Sequence, residues 1–457
     1  MSSLLYGLIQ SFAPAEKERV SNWLANPVHN KRADLRRHFS ALMHGNATTD
    51  SSGVRSAELR SLEHHLLRRL EDYLVHTELK KHRPSLHRRL LLDACRRREL
   101  EAHHAARLKP AGAAPAGEDR MLLRYHTERR RQEAGLGARR GGTDGLALSA
   151  EALEHYVLYL QLRQASATLA RNRVLTPGQR PPEIPRLEAI LAAAAQPPYR
   201  ENPSLHAFYL GVRLQREQDA EDLFRELRLL LEDRSIDLDA ADRHDLLLIA
   251  LNHGLRRINQ GEAGAAATTL ALYQLGLKDG SLFSMGRLSP FAFNNIVAIS
   301  IHLREAKWAM EFVDQYEGKV PTTRRDEIVT LARARLAFSA GDYGEALRFL
   351  QGADWKDFIH QMTARVIQMK IYRANDSFNL LSSHLNSTTR LLSRKKISTG
   401  YHHENYTNIF MLARALLRLP PGDAAARAQL AEEIERTQPC TERSWLLEWL
   451  EEGRRNF

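Results

Sequence analysis

The chain has 457 residues, 43% of them hydrophobic and 26% charged, a globular balance that argues against wholesale disorder and leaves ample length for a core. Its longest apolar runs, such as Leu246 to Leu251, fall far short of the roughly 20 residues of a spanning helix, and its two cysteines, Cys95 and Cys440, build neither a disulfide framework nor a four-cysteine zinc site. Of the net charge of +11, residues 1–150 carry nearly all, with 27 basic against 17 acidic residues, while the remainder holds 39 against 38.

These features predict a protein of a reducing compartment, the cytoplasm, with no membrane span. At the amino terminus, Leu4 to Ile9 is apolar and Ala13-Pro14-Ala15 imitates a signal-peptidase site. No Lys or Arg precedes that stretch, and it is too short for an export signal.

Almost every segment repeats its apolar residues at helical period and none alternates with period two, so the expected fold class is all-α. Pro14 opens a short helix through Trp23 and Leu24, which Asn26-Pro27 stops, and a second runs from about Lys31 to Met43. His44 to Gly53 reads as linker. Leu59, Leu62, Leu66, Leu70 and Leu74 then form one stripe of a helix over 54–80. Pro84 starts another, with Leu86, Leu90, Leu91 and Ala94 as its inward stripe and Cys95 as a small core residue beside it. Breaks are expected over 109–117 and 134–145, followed by a long helix capped by Ser149 and marked by Leu153, Tyr156, Val157 and Leu160. The proline-rich stretch from Thr176 to Pro185 divides a basic amino-terminal helical region, residues 1–175, from a carboxy-terminal array, residues 186–457.

That array carries an internal repeat. Gly341-Asp342-Tyr343-Gly344-Glu345-Ala346 resembles the turn and second-helix start of a tetratricopeptide repeat, where Gly permits the tight turn and Ala lets two helices approach. Weaker versions stand at Gln218-Asp219, Gly261-Glu262 with Ala266, Arg304-Glu305 with Ala309, Asn375-Asp376 and Gly422-Asp423, at intervals of 43, 43, 37, 34 and 47 residues. The expectation is a right-handed superhelix of tetratricopeptide-like helix pairs, closed by a final helix whose Trp445, Leu446, Trp449 and Leu450 cap the last pair. Ser289-Pro290 reads as the start of one of these helices and Thr323-x-x-Asp326 as a capping box.

A second resemblance rests on Phe12-Ala13-Pro14-Ala15-Glu16-Lys17, Trp23-Leu24-Ala25-Asn26-Pro27, Asn30-Lys31, and Leu160, Leu162, Arg163 and Ala170 to Arg173. These are similar to uncharacterised helical-repeat proteins of the Bacteroidota, although Asn26-Pro27-Val28-His29-Asn30 lacks the aromatic expected near Val28. The resemblance implies helical-repeat architecture and a bacterial cytoplasmic setting, and carries no activity.

Motifs for chemistry are missing. The pairs His64-His65, His103-His104 and His402-His403 diverge by about 100° on a helix, and His402-His403-Glu404 lacks the second ligand of a zinc helix. Gly276, Gly280 and Gly286 lack a P-loop ending, and no Gly-x-Ser-x-Gly elbow occurs. Glu432-Glu433 and Glu451-Glu452 sit in polar helices with nothing to raise a pKa. The sequence therefore predicts no catalytic residue, cofactor or metal, and a protein that is not an enzyme.

Stacked helix pairs usually bind along the face lined by their first helices. Counting nine residues back from two turns gives Asn252 and Asn295, either to clamp a peptide backbone or else to bond a neighbouring helix or cap a turn. Asn294, Arg256 and Arg335 are candidates for the same surface. The expected function is a scaffold for a protein or peptide partner. The alternative is nucleic-acid association through Arg88, Arg89, Arg96, Arg97, Arg98, Arg129, Arg130 and Arg131, with a further pair at Arg139-Arg140. Against it, Tyr125 is the only aromatic over 81–150, and the chain's 54 Arg against 12 Lys read as codon bias.

Overall fold

The computed structural model describes residues 3–43, 57–81, 84–108, 117–137, 144–172, 182–217, 220–236, 238–321, 323, 325–394, 400–420 and 422–455. The linker at 44–53, Arg139-Arg140, Gln218-Asp219 and most of the proline-rich stretch lie outside them. The described residues are almost wholly helical, as expected, and their one strand pair is a two-residue hairpin, Phe283–Ser284 with Arg287–Leu288. None of their helices is long and apolar enough to cross a membrane.

Two compact units divide the chain, the first comprising residues 1–218 and 233–242 and the second residues 219–232 and 243–457. The first contains α1 (Ser3–Ser11), α2 (Pro14–Ala25), α3 (Ala33–Met43), α4 (Ala57–Lys81), α5 (Pro84–Arg97), α6 (Glu101–Leu108), α7 (Gly117–Gly137), α8 (Asp144–Asn172), α9 (Leu187–Ala194) and α10 (Pro203–Arg216). Helices α1 to α4 enclose a core of Leu5, Phe12, Val20, Leu24, Phe39, Leu66 and Leu70. Pro14 at the start of α2 sits where a missing N–H costs nothing, as the sequence predicts. Farther on, α8 packs against α7, α9 and α10. Its buried Tyr159 donates a hydrogen bond of 2.7 Å to Asp242, a carboxylate with no exposed surface. Burial, the Asp242 charge and that hydrogen bond push the Tyr159 phenol upward, so it stays a neutral donor.

Three sequence expectations need correction in this unit: the inward stripe of α5, the Ser149 cap and the break from 134. On α5, Leu86, Leu90 and Leu91 are exposed, and the inward residues are Leu92 and Cys95. On α8, Leu153 and Val157 are exposed, whereas Ala152, Leu158, Tyr159, Leu162 and Ala165 are buried. Leucine fills more than one face of each helix, so its spacing defines stripes without saying which one faces inward. Ser149 is no cap, because α8 already begins at Asp144 and buries it, and α7 continues through the expected break as far as Gly137.

The second unit contains α11 (Glu221–Glu232), most of α12 (Ala240–Asn259), α13 (Ala265–Asp279), α14 (Pro290–His302), α15 (Ala306–Tyr316), α16 (Arg325–Ser339), α17 (Tyr343–Gln351), α18 (Phe358–Ala374), α19 (Phe378–Arg394), α20 (Gly400–Arg418), α21 (Ala424–Arg436) and α22 (Arg443–Arg455). Five helix hairpins, from α12/α13 to α20/α21, turn where the sequence places them. Gly261, Arg304, Gly341, Asp376 and Gly422 all have left-handed φ, between +49° and +84°. Four of these turns share one hydrogen-bond pattern. Gly341 N–H reaches Phe338 O and Asp342 N–H reaches Ala337 O, and the same offsets recur after Gly261, Arg304 and Asp376. This closes the free carbonyls of the first helix. Asp342 then caps α17 by accepting from Glu345 N–H at 2.9 Å, and Ala309 and Ala346 are fully buried where paired helices meet. Gly254 serves the same close approach between α12 and α13, since a Cβ there would lie 2.3 Å from Thr269 Oγ1.

Arg304 adopts at φ +62° a conformation that costs a side chain about 1 kcal/mol. Arg304→Gly is therefore expected to raise the stability of this unit by about 0.5–1 kcal/mol in urea unfolding. A loss would show that the Arg304 side chain outweighs its backbone.

Packing runs both within and between hairpins. α14 lies against α15 and α16, α16 against α17 and α18, and α20 against α21 and α22. One core joins Met362, Val366, Met369, Leu385, Ile409, Phe410 and Leu446, and Trp449 and Leu450 of the last helix are buried in it. α14 begins at Pro290 after Ser289, as expected, although the Ser289 side chain makes no capping hydrogen bond.

Candidate functional site

Helices α16, α18 and α20 are the first members of three successive hairpins, and α22 follows them. The sequence places them together because their inward faces are apolar, leaving a few polar side chains where the helices converge. Glu327, buried in the first turn of α16, accepts from the backbone N–H groups of Lys356 and Asp357, the latter at 3.2 Å, and lies 3.3 Å from His360 Nδ1. It thereby ties the start of α18 to the start of α16. Asp357 in turn caps α18 by accepting from Ile359 and His360 N–H.

Beyond this tie, Thr363 of α18 shares a 2.9 Å hydroxyl contact with Tyr406 of α20, whose OH also donates to Ile359 O at 3.4 Å. Lys370 of α18 forms an ion pair of 2.6 Å with Glu442, just before α22, and its ammonium stands 5.3 Å from the Trp445 ring centre. Asn405 brackets Thr441, donating to its Oγ1 at 3.1 Å and accepting from its N–H at 2.8 Å, and so fixes the segment that carries Glu442.

Arg335 of α16 lies within electrostatic reach of Tyr406 and Glu442. Its side chain is half-buried. Burial pushes its guanidinium below the ordinary arginine range against the pull of Tyr406 and Glu442. Among the described residues no hydrogen bond or ion pair holds it, whereas Lys370 and Arg365 are both engaged.

The other residues singled out from the sequence lie elsewhere in the unit. Asn252 is on the exposed stripe of α12, while Arg256 contacts His253 at 3.2 Å in its own helix. Asn295 donates to Tyr273 OH of α13 at 3.3 Å, which is the neighbouring-helix bond. Asn294 Oδ1 is buried and accepts no hydrogen bond among the described residues. Thr363, Lys370, Tyr406 and Glu442 were not singled out, because their partners lie many residues away and the motif search read 402–406 only for metal ligands.

In the first unit, most of the arginine clusters are engaged internally. Glu133 pairs with Arg96 at 2.8 Å, Arg129 at 3.3 Å and Arg130 at 2.6 Å, and Arg130 also meets Asp93. Burial pushes the Glu133 carboxyl up, but these three arginines outweigh it and hold it below the usual range. Arg131 pairs with Glu128 at 2.6 Å, Arg88 donates to Arg107 O, Arg89 contacts His126 at 3.3 Å and Arg98 donates to Ala94 O. Arg97 is exposed. No three His, Cys, Asp or Glu side chains among the described residues gather in a way that would hold a metal.

Family models, curated proteins and solved structures offer no match to this chain. The functional reading therefore rests on the geometry alone.

Proposed function

We propose that the chain is a non-enzymatic helical-repeat scaffold that binds a protein or peptide partner along the face lined by the first helices of its hairpins. In this reading residues 186–457 form a right-handed superhelix of tetratricopeptide-like pairs, preceded by the helical region 1–175. The setting is the bacterial cytoplasm, with kinship to the helical-repeat proteins of the Bacteroidota. The recurrent left-handed turns support the repeat reading. The observation that carries the binding reading is the half-exposed Arg335 on first helix α16, which no hydrogen bond or ion pair engages among the described residues. An unengaged guanidinium of this kind suits a complementary anionic group arriving from outside.

The alternative, nucleic-acid association, is weakened by the ion pairs that already occupy Arg96, Arg129, Arg130 and Arg131. Affinity capture from a host lysate with nuclease, using a photo-crosslinker in place of Asn252, Lys370 or Leu380, separates the two. A protein that survives nuclease and crosslinks from Asn252 or Lys370, but not from exposed Leu380 on α19, is the expected result. Retention that disappears with nuclease or moderate salt overturns the scaffold reading.

A further inference from the structure

The hairpin of α18 and α19 differs in charge from the chain around it. Residues 358–394 hold five basic residues and a single acidic one, Asp376, whereas the rest of 151–457 holds 34 basic against 37 acidic. Two of the five are neutralised by ion pairs, Lys370 with Glu442 and Arg373 with Asp376 and Glu452. Among the described residues no carboxylate pairs with the other three, Arg365, Arg390 and Arg394. Arg365 reaches across from α18 to α19, where its Nη1 donates to Ser387 Oγ at 3.3 Å and to Thr388 Oγ1 at 2.9 Å. Its Nε and Nη2 make no hydrogen bond among the described residues.

The inward stripe of α19 is Leu381, Leu385, Thr388 and Leu392, which turns Asn379, Ser383, Asn386, Ser387, Arg390 and Arg394 outward on one exposed stripe. That stripe carries no carboxylate and no apolar side chain, and at the helical rise it runs about 22 Å. Ser and Asn are poorer helix formers than the Glu, Lys and Ala that suit a solvated helix face, so helix stability alone does not select this composition. The second helices of the neighbouring hairpins keep charges of both signs, Glu345 with Arg348 on α17 and Glu432 with Arg436 on α21.

We propose that the outward stripe of α19, joined by Arg365 of α18, is a docking surface for duplex DNA, held through its phosphodiester backbone. Arginine, serine and asparagine side chains are the donors that meet phosphate oxygens in such complexes. Short Ser and Asn side chains let the helix backbone come close, and the B-form major groove, roughly 12 Å wide, admits a helix, whereas the narrow A-form groove of RNA does not. No aromatic ring stands on the stripe to stack unpaired bases, which favours a duplex over a single strand. The surface belongs to a second helix and goes beyond the scaffold reading, which concerns the first helices.

The test measures fluorescence anisotropy of a labelled 20-base-pair DNA duplex with the full chain between about 50 and 200 mM salt. Arg390→Gln with Arg394→Gln should weaken binding at least about tenfold at the lower salt and reduce the slope of log affinity against log salt by about 2. Ser383→Lys adds a cation to the same stripe and should tighten binding several-fold, a gain that misfolding cannot imitate. Absence of duplex binding at the lower salt, or an affinity indifferent to all three substitutions, overturns the proposal. Binding that survives at Arg390 and Arg394 but is lost with Arg97→Gln and Arg98→Gln overturns it in favour of the amino-terminal arginines. Tighter binding of the single strand or of an RNA duplex overturns the choice of DNA duplex, and polyglutamate competing as well as unlabelled duplex at equal charge overturns the choice of nucleic acid. None of these results depends on partner capture, so the scaffold reading stands or falls by its own experiment.

Discussion

Glu327→Ala is expected to cost the second unit about 3 kcal/mol, read from the urea unfolding midpoint. The carboxylate is buried, and its removal leaves the N–H groups of Lys356 and Asp357 without their acceptor and His360 without its neighbour. Charged acceptors contribute more per hydrogen bond than neutral ones, and a stranded buried donor bears its full desolvation cost. The damage should be local as well as global. Amide exchange should accelerate first at the start of α18, where Asp357 can no longer be held as the cap. Glu327→Gln keeps an acceptor oxygen at similar volume and should lose only about 1 kcal/mol. If the alanine variant unfolds within about 0.5 kcal/mol of the natural chain, the tie between α16 and α18 contributes little.

The second large effect is on pH. His384 of α19 is pushed down to about 4 by burial, against the hydrogen bond of 2.9 Å between its Nε2 and Arg365 O. Its neutral ring donates that bond, with Tyr372 at 5.5 Å and Phe410 at 6.3 Å between ring centres. Above the ordinary histidine value of 6.5 both folded and unfolded chains carry a neutral ring, and its contribution to stability is fully present. As pH falls from 6.5 towards about 4, the unfolded chain takes up a proton that the folded one refuses, and stability is lost. The loss amounts to about 3 kcal/mol and is complete below the folded value. Urea unfolding of the natural chain and of His384→Gln between pH 7 and pH 4 isolates it. The variant should show a shallower decline over that interval, and identical slopes would remove His384 as the cause.

The parts of the fold that were legible in the sequence are those set by short-range chemistry. Gly341 and Ala346 mark a turn and a close approach within six residues, and the structure places both in those roles, adding Asp342 as the cap between them. Arg304 and Asp376 were harder, because neither is the glycine that a left-handed turn favours. Their turns emerged only by spacing from the clearer one. The inward face of α5 misled because leucine occupies several of its faces. The candidate site was the least legible. Arg335 was named on repeat register alone, and nothing near it in sequence announces Tyr406 or Glu442, whose charges reach it from two other segments. Metal-ligand reasoning passed over Tyr406 although it stands three residues from His403.

The hairpin turns Leu303–Glu305, Ala340–Asp342 and Asn375–Ser377 have the same length, yet the spacing of successive turns varies from 34 to 47 residues. Helix lengths and the connectors between hairpins absorb that variation. The longest described connector, between α13 and α14, does so with a small β-hairpin whose tip, Met285-Gly286, is fully in solvent at Met285, 98% exposed. The chain is thus divided into junctions that fix how two helices fold back and junctions that only bridge from one pair to the next. For anyone grafting a tag, a reporter or a foreign loop, the tip at Met285-Gly286 is the natural point of entry. An insertion there lengthens a bridge and leaves every fold-back turn intact.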